Sequence, residues 1–305
     1  MTDTKSSKKK HDVQAGLMAL RKRLPALENI FDAFGPLLVA QEKADELLEG
    51  WSGFILPEVY APRFEQGVAL LDGMECPEVG DLYKDVFKLT AEAVSAGMPA
   101  VAGSIETILS AVEKADDFNR LAKAVWDADS HTVESLADAW KVDGQLLAFI
   151  GSFSLKPFMV RMEHEAADKI SNMQWLKGYC PICGTFPDMS LLKRSGEDNA
   201  YLKSHGGQRW MHCSCCGHEW RFKRNMCPWC ESEDYDKLRY LQSDESKNER
   251  VDICDNCKHY FVTIDTRELV DEPDPRVAPL GLVHLDIRAQ EDEFMPITET
   301  PWNML

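Results

Sequence analysis

Ten cysteines occur in this chain, and eight of them form four Cys-x-x-Cys pairs: Cys180/Cys183, Cys213/Cys216, Cys227/Cys230 and Cys254/Cys257. A Cys-x-x-Cys turn brings two sulfurs to one side of a tight loop, and two such turns complete the tetrahedral four-sulfur set that zinc or a single iron prefers. One pair alone could equally be a redox dithiol. Four pairs within 78 residues predict two tetrathiolate metal sites. Such a site has no open coordination position, so it neither activates water nor binds substrate directly. Its default role is to lock small modules that lack a core of their own. The sharper alternative is a rubredoxin-like centre that moves one electron or senses redox state. On the residues alone zinc is favoured, because it outcompetes ferrous iron at most sites.

Short strands position these turns. Alternating and β-branched runs predict strands at Thr185–Leu192, Gln208–His212, Glu219–Arg224, Leu238–Gln242, Val251–Ile253 and Tyr260–Ile264, with polar turns at Ser195–Asn199 and Ser243–Asn248. An extended Glu219–Arg224 holds the second and third pairs roughly 20 Å or more apart. Sequential pairing follows: Cys180, Cys183, Cys213 and Cys216 in one site, Cys227, Cys230, Cys254 and Cys257 in the other. Gly184 and Gly217, just after two of the pairs, suit the positive φ that turns backbone N–H groups toward sulfur. Cys215 lies inside the second pair with the wrong spacing for the turn. His212, His218 and His259 flank ligands and are expected to support them or lie at the surface, not to bind metal.

Upstream, from Val13 to about Met173, the pattern is helical. Val133, Leu136, Ala137 and Trp140 make one apolar face, with Gly144 as the expected stop. Phe31–Gly50 places Leu37, Leu38, Ala44, Leu47 and Leu48 inward and Gln41-Glu42-Lys43 outward. Asp81–Ala96 and Ser104–Lys123 are further helices, and Leu146–Met162 is a buried one. This half shows no internal repeat, and an antiparallel bundle of six or seven helices is expected. Glu163-His164-Glu165 reads as a solvated face, Cys76 as a packed thiol, and Phe149, Phe153 and Phe158 as core.

The expected fold is α+β, an all-α bundle followed by two rubredoxin-like or zinc-ribbon modules. The divisions are a disordered basic tail (1–15), the bundle (16–173), the first module (174–225), the second module (226–275) and a C-terminal tail packed on the second module (276–305). In that tail Leu280, Leu282, Leu285 and Ile287 are expected to pack on the second module. Trp302 is either an anchor for a partner or tucked onto the protein's own surface.

A formal charge of −17 argues against a generic nucleic-acid binder, and Met173–Tyr260 balances 13 basic against 13 acidic residues before four thiolates per site add further negative charge. No window is apolar for long enough to span a membrane. The first ten residues are basic without an apolar core and do not read as a signal peptide. With ten cysteines, the expected setting is the reducing cytosol. No catalytic constellation is visible: there is no Ser-His-Asp arrangement, phosphate loop or dinucleotide fingerprint. A binding or delivery protein is expected, not an enzyme.

The string Cys180-Pro-Ile-Cys183-Gly184, His212-Cys213-x-x-Cys216-x-x-Glu219-Trp220, Cys227-x-x-Cys230 and Cys254-x-x-Cys257 resembles the formate dehydrogenase accessory protein family, FdhE. Leu285, Asp286, Ala289 and Phe294 extend the resemblance over roughly the last 130 residues. It implies a cytoplasmic maturation factor, itself not an enzyme, that binds the catalytic subunit of a molybdenum- or tungsten-dependent formate dehydrogenase during assembly. It also implies paired rubredoxin-like sites associated with iron, with zinc as the other candidate, and leaves a homodimer open. Two departures stand out: the additional thiol Cys215, and Glu293 where glycine is expected in a turn. A rubredoxin-like electron carrier is the alternative, and a nucleic-acid-binding zinc ribbon the third possibility.

Overall fold

The computed structural model describes residues 12–115, 118–194, 207–242 and 246–304. The expected basic tail up to residue 11, the expected turn at Ser195–Asn199 and the first part of that at Ser243–Asn248 lie outside the described residues. Among the described residues, eight α-helices form the first part: α1 (Val13–Arg23), α2 (Glu28–Leu47), α3 (Ala61–Glu65), α4 (Gly80–Gly97), α5 (Ala102–Lys114), α6 (Asn119–Trp126), α7 (Ser130–Trp140) and α8 (Gly144–Ile170). Residues 12–15 open α1 and are not part of a loose tail. Asp12 caps the helix by accepting from the Ala15 amide at 3.0 Å, and Val13 is buried.

Three helical expectations change. Ser104–Lys123 is two helices, because the chain turns extended at Ala115 and so inserts Phe118 against Tyr83 (5.3 Å between rings) and Phe87 (5.1 Å). Gly144 does not stop α7. Lys141 does, in the left-handed region (φ 57°), and Gly144 opens α8 behind the cap Asp143, which accepts from the Leu146 amide at 2.8 Å. On α2, Leu47 is exposed, whereas Gln41 and Glu42 are half-buried bridges. Gln41 donates to the Phe153 carbonyl at 2.7 Å, and Glu42 pairs with Arg276 at 3.0 Å.

Beyond α8 the described residues form one seven-stranded sheet: β1 (Pro187–Lys193), β2 (Gln208–Cys213), β3 (Glu219–Phe222), β4 (Leu238–Gln242), β5 (Glu249–Cys254), β6 (His259–Asp265) and β7 (Met295–Pro296). The order is β3-β2-β1-β6-β5-β4, with β7 paired to β6. Each four-cysteine unit contributes an antiparallel trio, and the two trios join along a parallel β1–β6 seam, Met189 opposite Val262 through Leu192 opposite Asp265. The fold class is therefore α+β, with zinc-ribbon-like units fused edge to edge.

A buried polar network spans that seam. Arg209 of β2, only 2% exposed, donates to both carboxylate oxygens of Asp252 on β5 (3.0 and 3.3 Å) and to Ser190 of β1 (3.2 Å). The Thr263 hydroxyl donates to Asp252 at 2.6 Å, and Arg250 makes two further bonds to the same carboxylate. A buried cation is tolerable only when it is paired with a carboxylate in this way.

The tail divides between two cores. Leu282, Leu285, Ala289 and Phe294, around α9 (Val283–Glu291), cover Val251, Ile253, Val262 and Ile264 of the sheet. Leu280 does not join them: it packs with Val277 and Val283 among Leu17, Phe31 and Phe34 of α1 and α2. Ile287 is 40% exposed, on the outer side of α9. Trp302 is buried edge-on against Phe34, with 5.8 Å between rings, so it is tucked onto its own chain. Glu293 adopts φ 62°, the conformation for which glycine was expected there.

Candidate metal centres

All four Cys-x-x-Cys turns close in the same way. The amide four residues after the first cysteine donates to that cysteine's carbonyl: Gly184 to Cys180 (3.0 Å), Gly217 to Cys213 (3.2 Å), Glu231 to Cys227 (3.0 Å) and Lys258 to Cys254 (2.8 Å). Each of these closing residues has a positive φ: 78°, 71°, 56° and 60° in that order. Sequence reasoning found the two glycines and missed Glu231 and Lys258, whose side chains do not advertise the left-handed region. The spacing relative to each cysteine pair was the available signal.

The structure gathers the eight predicted cysteines into the two sequential sets, and within each set the sulfurs all lie within 4.8 Å of one another. In the first, Cys180 and Cys216 are 3.6 Å apart and Cys183 and Cys213 3.4 Å apart; in the second, Cys227–Cys257 measures 3.7 Å and Cys230–Cys254 3.8 Å. Amides support the first set: Ile182 N–H donates to the Cys180 sulfur (3.4 Å), and Cys215 and Cys216 N–H groups donate to the Cys213 sulfur (3.4 and 3.5 Å). In the second set the Asn256 side-chain amide donates to the Cys230 sulfur at 3.5 Å, a contact the sequence did not suggest. Donors to sulfur favour thiolate over thiol.

These donor sets fit a tetrahedral, sulfur-preferring divalent ion, and either site could hold one. Before loading, each set mixes thiols of different acidity. Neighbouring sulfurs hold Cys183 well below its usual range, while burial pushes Cys213 and Cys216 well above it. Burial likewise raises Cys257 to about 12, whereas at Cys230 the donors, led by Asn256, outweigh desolvation and bring it to about 7. A metal would therefore displace protons as it gathers thiolates. Cys215 contributes its amide to the first set while its sulfur stays outside the four, beside Cys183.

The flanking histidines act through hydrogen bonds. His212 Nδ1 lies 2.8 Å from Asp188, and both are nearly buried. Desolvation opposes the imidazolium, but the Asp188 charge prevails and raises its pKa. His218 Nδ1 lies 2.8 Å from Glu163 of α8. Glu163 is therefore no part of a solvated face; only His164 and Glu165 are exposed. His259 stacks on Trp229 at 4.3 Å and 14°. Cys76 is half-buried and contacts the Pro77 carbonyl, and burial lifts its thiol to about 11.

An FdhE homologue of Aquifex aeolicus strain VF5 is 30% identical over 162 residues, covering 51% of each chain. Another from Pseudomonas aeruginosa is 25% identical over 162 residues, 48% of this chain and 50% of the relative. About half of the chain is thus similar in sequence to FdhE homologues. The chain spans about half the length of the curated relatives it matches. The crystal structure of the FdhE protein from Pseudomonas aeruginosa superposes with a TM-score of 0.56 at 18% identity, covering 96% of this chain and 94% of that one, and so shares the fold. No family model matches the chain. Among the described residues no helix is long and apolar enough to cross a membrane.

Proposed function

We propose that this chain is a cytoplasmic maturation factor that binds the catalytic subunit of a molybdenum- or tungsten-dependent formate dehydrogenase during assembly, and that it is not itself an enzyme. The observation that carries the proposal is the pair of complete four-sulfur sets in an FdhE-type fold. Such sets leave no coordination position open for a substrate, so their work is to hold a surface in shape or to register redox state. Cys180, Cys183, Cys213 and Cys216 would hold one ion, and Cys227, Cys230, Cys254 and Cys257 the other.

Iron is the proposed resident ion, following the family resemblance. Visible absorption that bleaches on reduction of anaerobically purified protein supports it; a colourless protein with two equivalents of zinc assigns the sites a structural role. The function itself is tested by anaerobic affinity capture from cells expressing a formate dehydrogenase, with mass spectrometry of the eluate. Recovery of the catalytic subunit is the expected result. Its absence from cells producing that enzyme would favour the second reading, an electron carrier. One observation supports that second reading: Cys230 and Cys257 are half-exposed beside Trp229, giving the second set an edge near solvent.

A further inference from the structure

We propose that the two four-sulfur sites load cooperatively, each holding the other's turns in binding geometry. The proposal rests on the assignment of both sets as metal sites. The first and third turns are packed together by contacts that involve no ligand sulfur. Gly178, two residues before Cys180, lies so close to the third turn that an ideal Cβ there would sit 2.0 Å from the Pro228 carbonyl oxygen and 2.5 Å from its carbon. Gly178 is thus a contact glycine, needed for space. On one side of it, the Lys177 ammonium bonds to Glu231 at 2.8 Å, and Glu231 is the positive-φ residue that closes the third turn. The Lys177 carbonyl accepts from Trp220 Nε1 at 3.2 Å, just after the second turn.

Aromatic rings extend the contact. Phe186, just past the first turn, packs on Trp229 at 4.8 Å, and Trp229 lies between the ligands Cys227 and Cys230. Trp229 in turn stacks on His259, which follows the fourth turn. The Phe186 carbonyl accepts from Ser214 at 2.9 Å, inside the second turn. Every turn is therefore tied to a turn of the other set through no more than a few side chains.

A Cys-x-x-Cys turn without metal is loosely held, because much of its order comes from the ion. Loading one set fixes its half of the shared contact, so the second set has less conformational entropy to lose when it loads. Linkage requires the help to be reciprocal.

The test uses the full chain, reduced and metal-free under anaerobic conditions, titrated with cobalt(II) against a competing chelator and read by thiolate-to-cobalt charge-transfer absorption. Disabling the second set with Cys227→Ser/Cys230→Ser should weaken cobalt binding at the first by about tenfold, within the usual range of site–site coupling. With all eight cysteines present, Gly178→Ala should still bind two ions, with the product of the two affinities about tenfold lower. In the Cys227→Ser/Cys230→Ser background, Gly178→Ala should change the remaining affinity by less than about twofold, since an unloaded third turn can give way. Coupling is overturned if disabling one set leaves the other's affinity unchanged, or if Gly178→Ala costs the same in both backgrounds. An intact chain that takes up no cobalt would overturn the metal assignment itself, and the coupling with it.

Discussion

The two four-sulfur sets are built from the same turn but stand in different surroundings. In the first, Cys180, Cys213 and Cys216 are fully buried within the main core, among Phe64, Trp175 and Trp220. The helical half grips this set directly. Leu70 and Leu71 amides donate to the Pro181 and Ile182 carbonyls (both 2.8 Å), Tyr179 donates to the Gly67 carbonyl (2.6 Å), and Glu163 reaches His218. The second set lies nearer to solvent, with Trp229 43% exposed and surface residues such as Asn256 around it. One chemistry thus serves two mechanical purposes: the first set joins the helical half to the sheet, and the second completes a rim. Burial and attachment separate them, not ligand type.

The largest test of that contrast is ligand removal. Cys180→Ser should cost a substantial part of the about 5–15 kcal/mol that holds a domain folded, with loss of helical signal by circular dichroism. Cys230→Ser should keep the helical signal and one tightly bound ion per chain by elemental analysis. Equal loss of structure in both variants would erase the distinction.

Next comes the seam. Asp252→Ala leaves Arg209 buried without its carboxylate, which should cost about 3–5 kcal/mol and lower the urea midpoint. Hydrogen exchange should then quicken along β1 and β6 before it quickens in α8, separating the two units while each keeps its metal.

A pH series distinguishes the two sides again. Desolvation raises Asp286, beneath the second unit, to about 7 against the partial opposition of its Tyr260 and Asn303 hydrogen bonds. The folded state therefore holds a proton that the unfolded chain releases near pH 4. Its stabilising contribution is complete below about pH 4 and is lost as pH rises through about 7. Asp286→Asn should flatten the melting temperature between pH 5 and pH 8, measured by calorimetry.

Smaller effects follow. Glu163→Ala removes the anchor between α8 and the second turn, for a loss of about 1–3 kcal/mol with metal content unchanged. Trp229→Ala, at the exposed rim, should cost only about 1 kcal/mol through its stacking partners. A larger loss from Trp229→Ala than from Glu163→Ala would invert the assignment of joint and rim.

The sequence by itself determined the four turns, their sequential pairing and the change from helix to strand near residue 174. Each of these is written locally: a turn needs two cysteines at fixed spacing and a residue able to take positive φ, and helix and strand announce themselves by period. The family resemblance, not a local rule, marked Glu293 as a place for glycine. Local rules failed where an unmarked residue took a special conformation, as at Lys141, Glu231 and Lys258, or where a break served a distant partner, as at Phe118. Tertiary structure alone decided that the two units share one sheet through a parallel seam, that Glu163 faces His218, that Arg209 is buried against Asp252, and that Gly178 meets Pro228. It also decided which sulfur set is buried. The contacts among them join residues 43 to 73 positions apart along the chain, and nothing in the spacing of either partner records the distance between them in space.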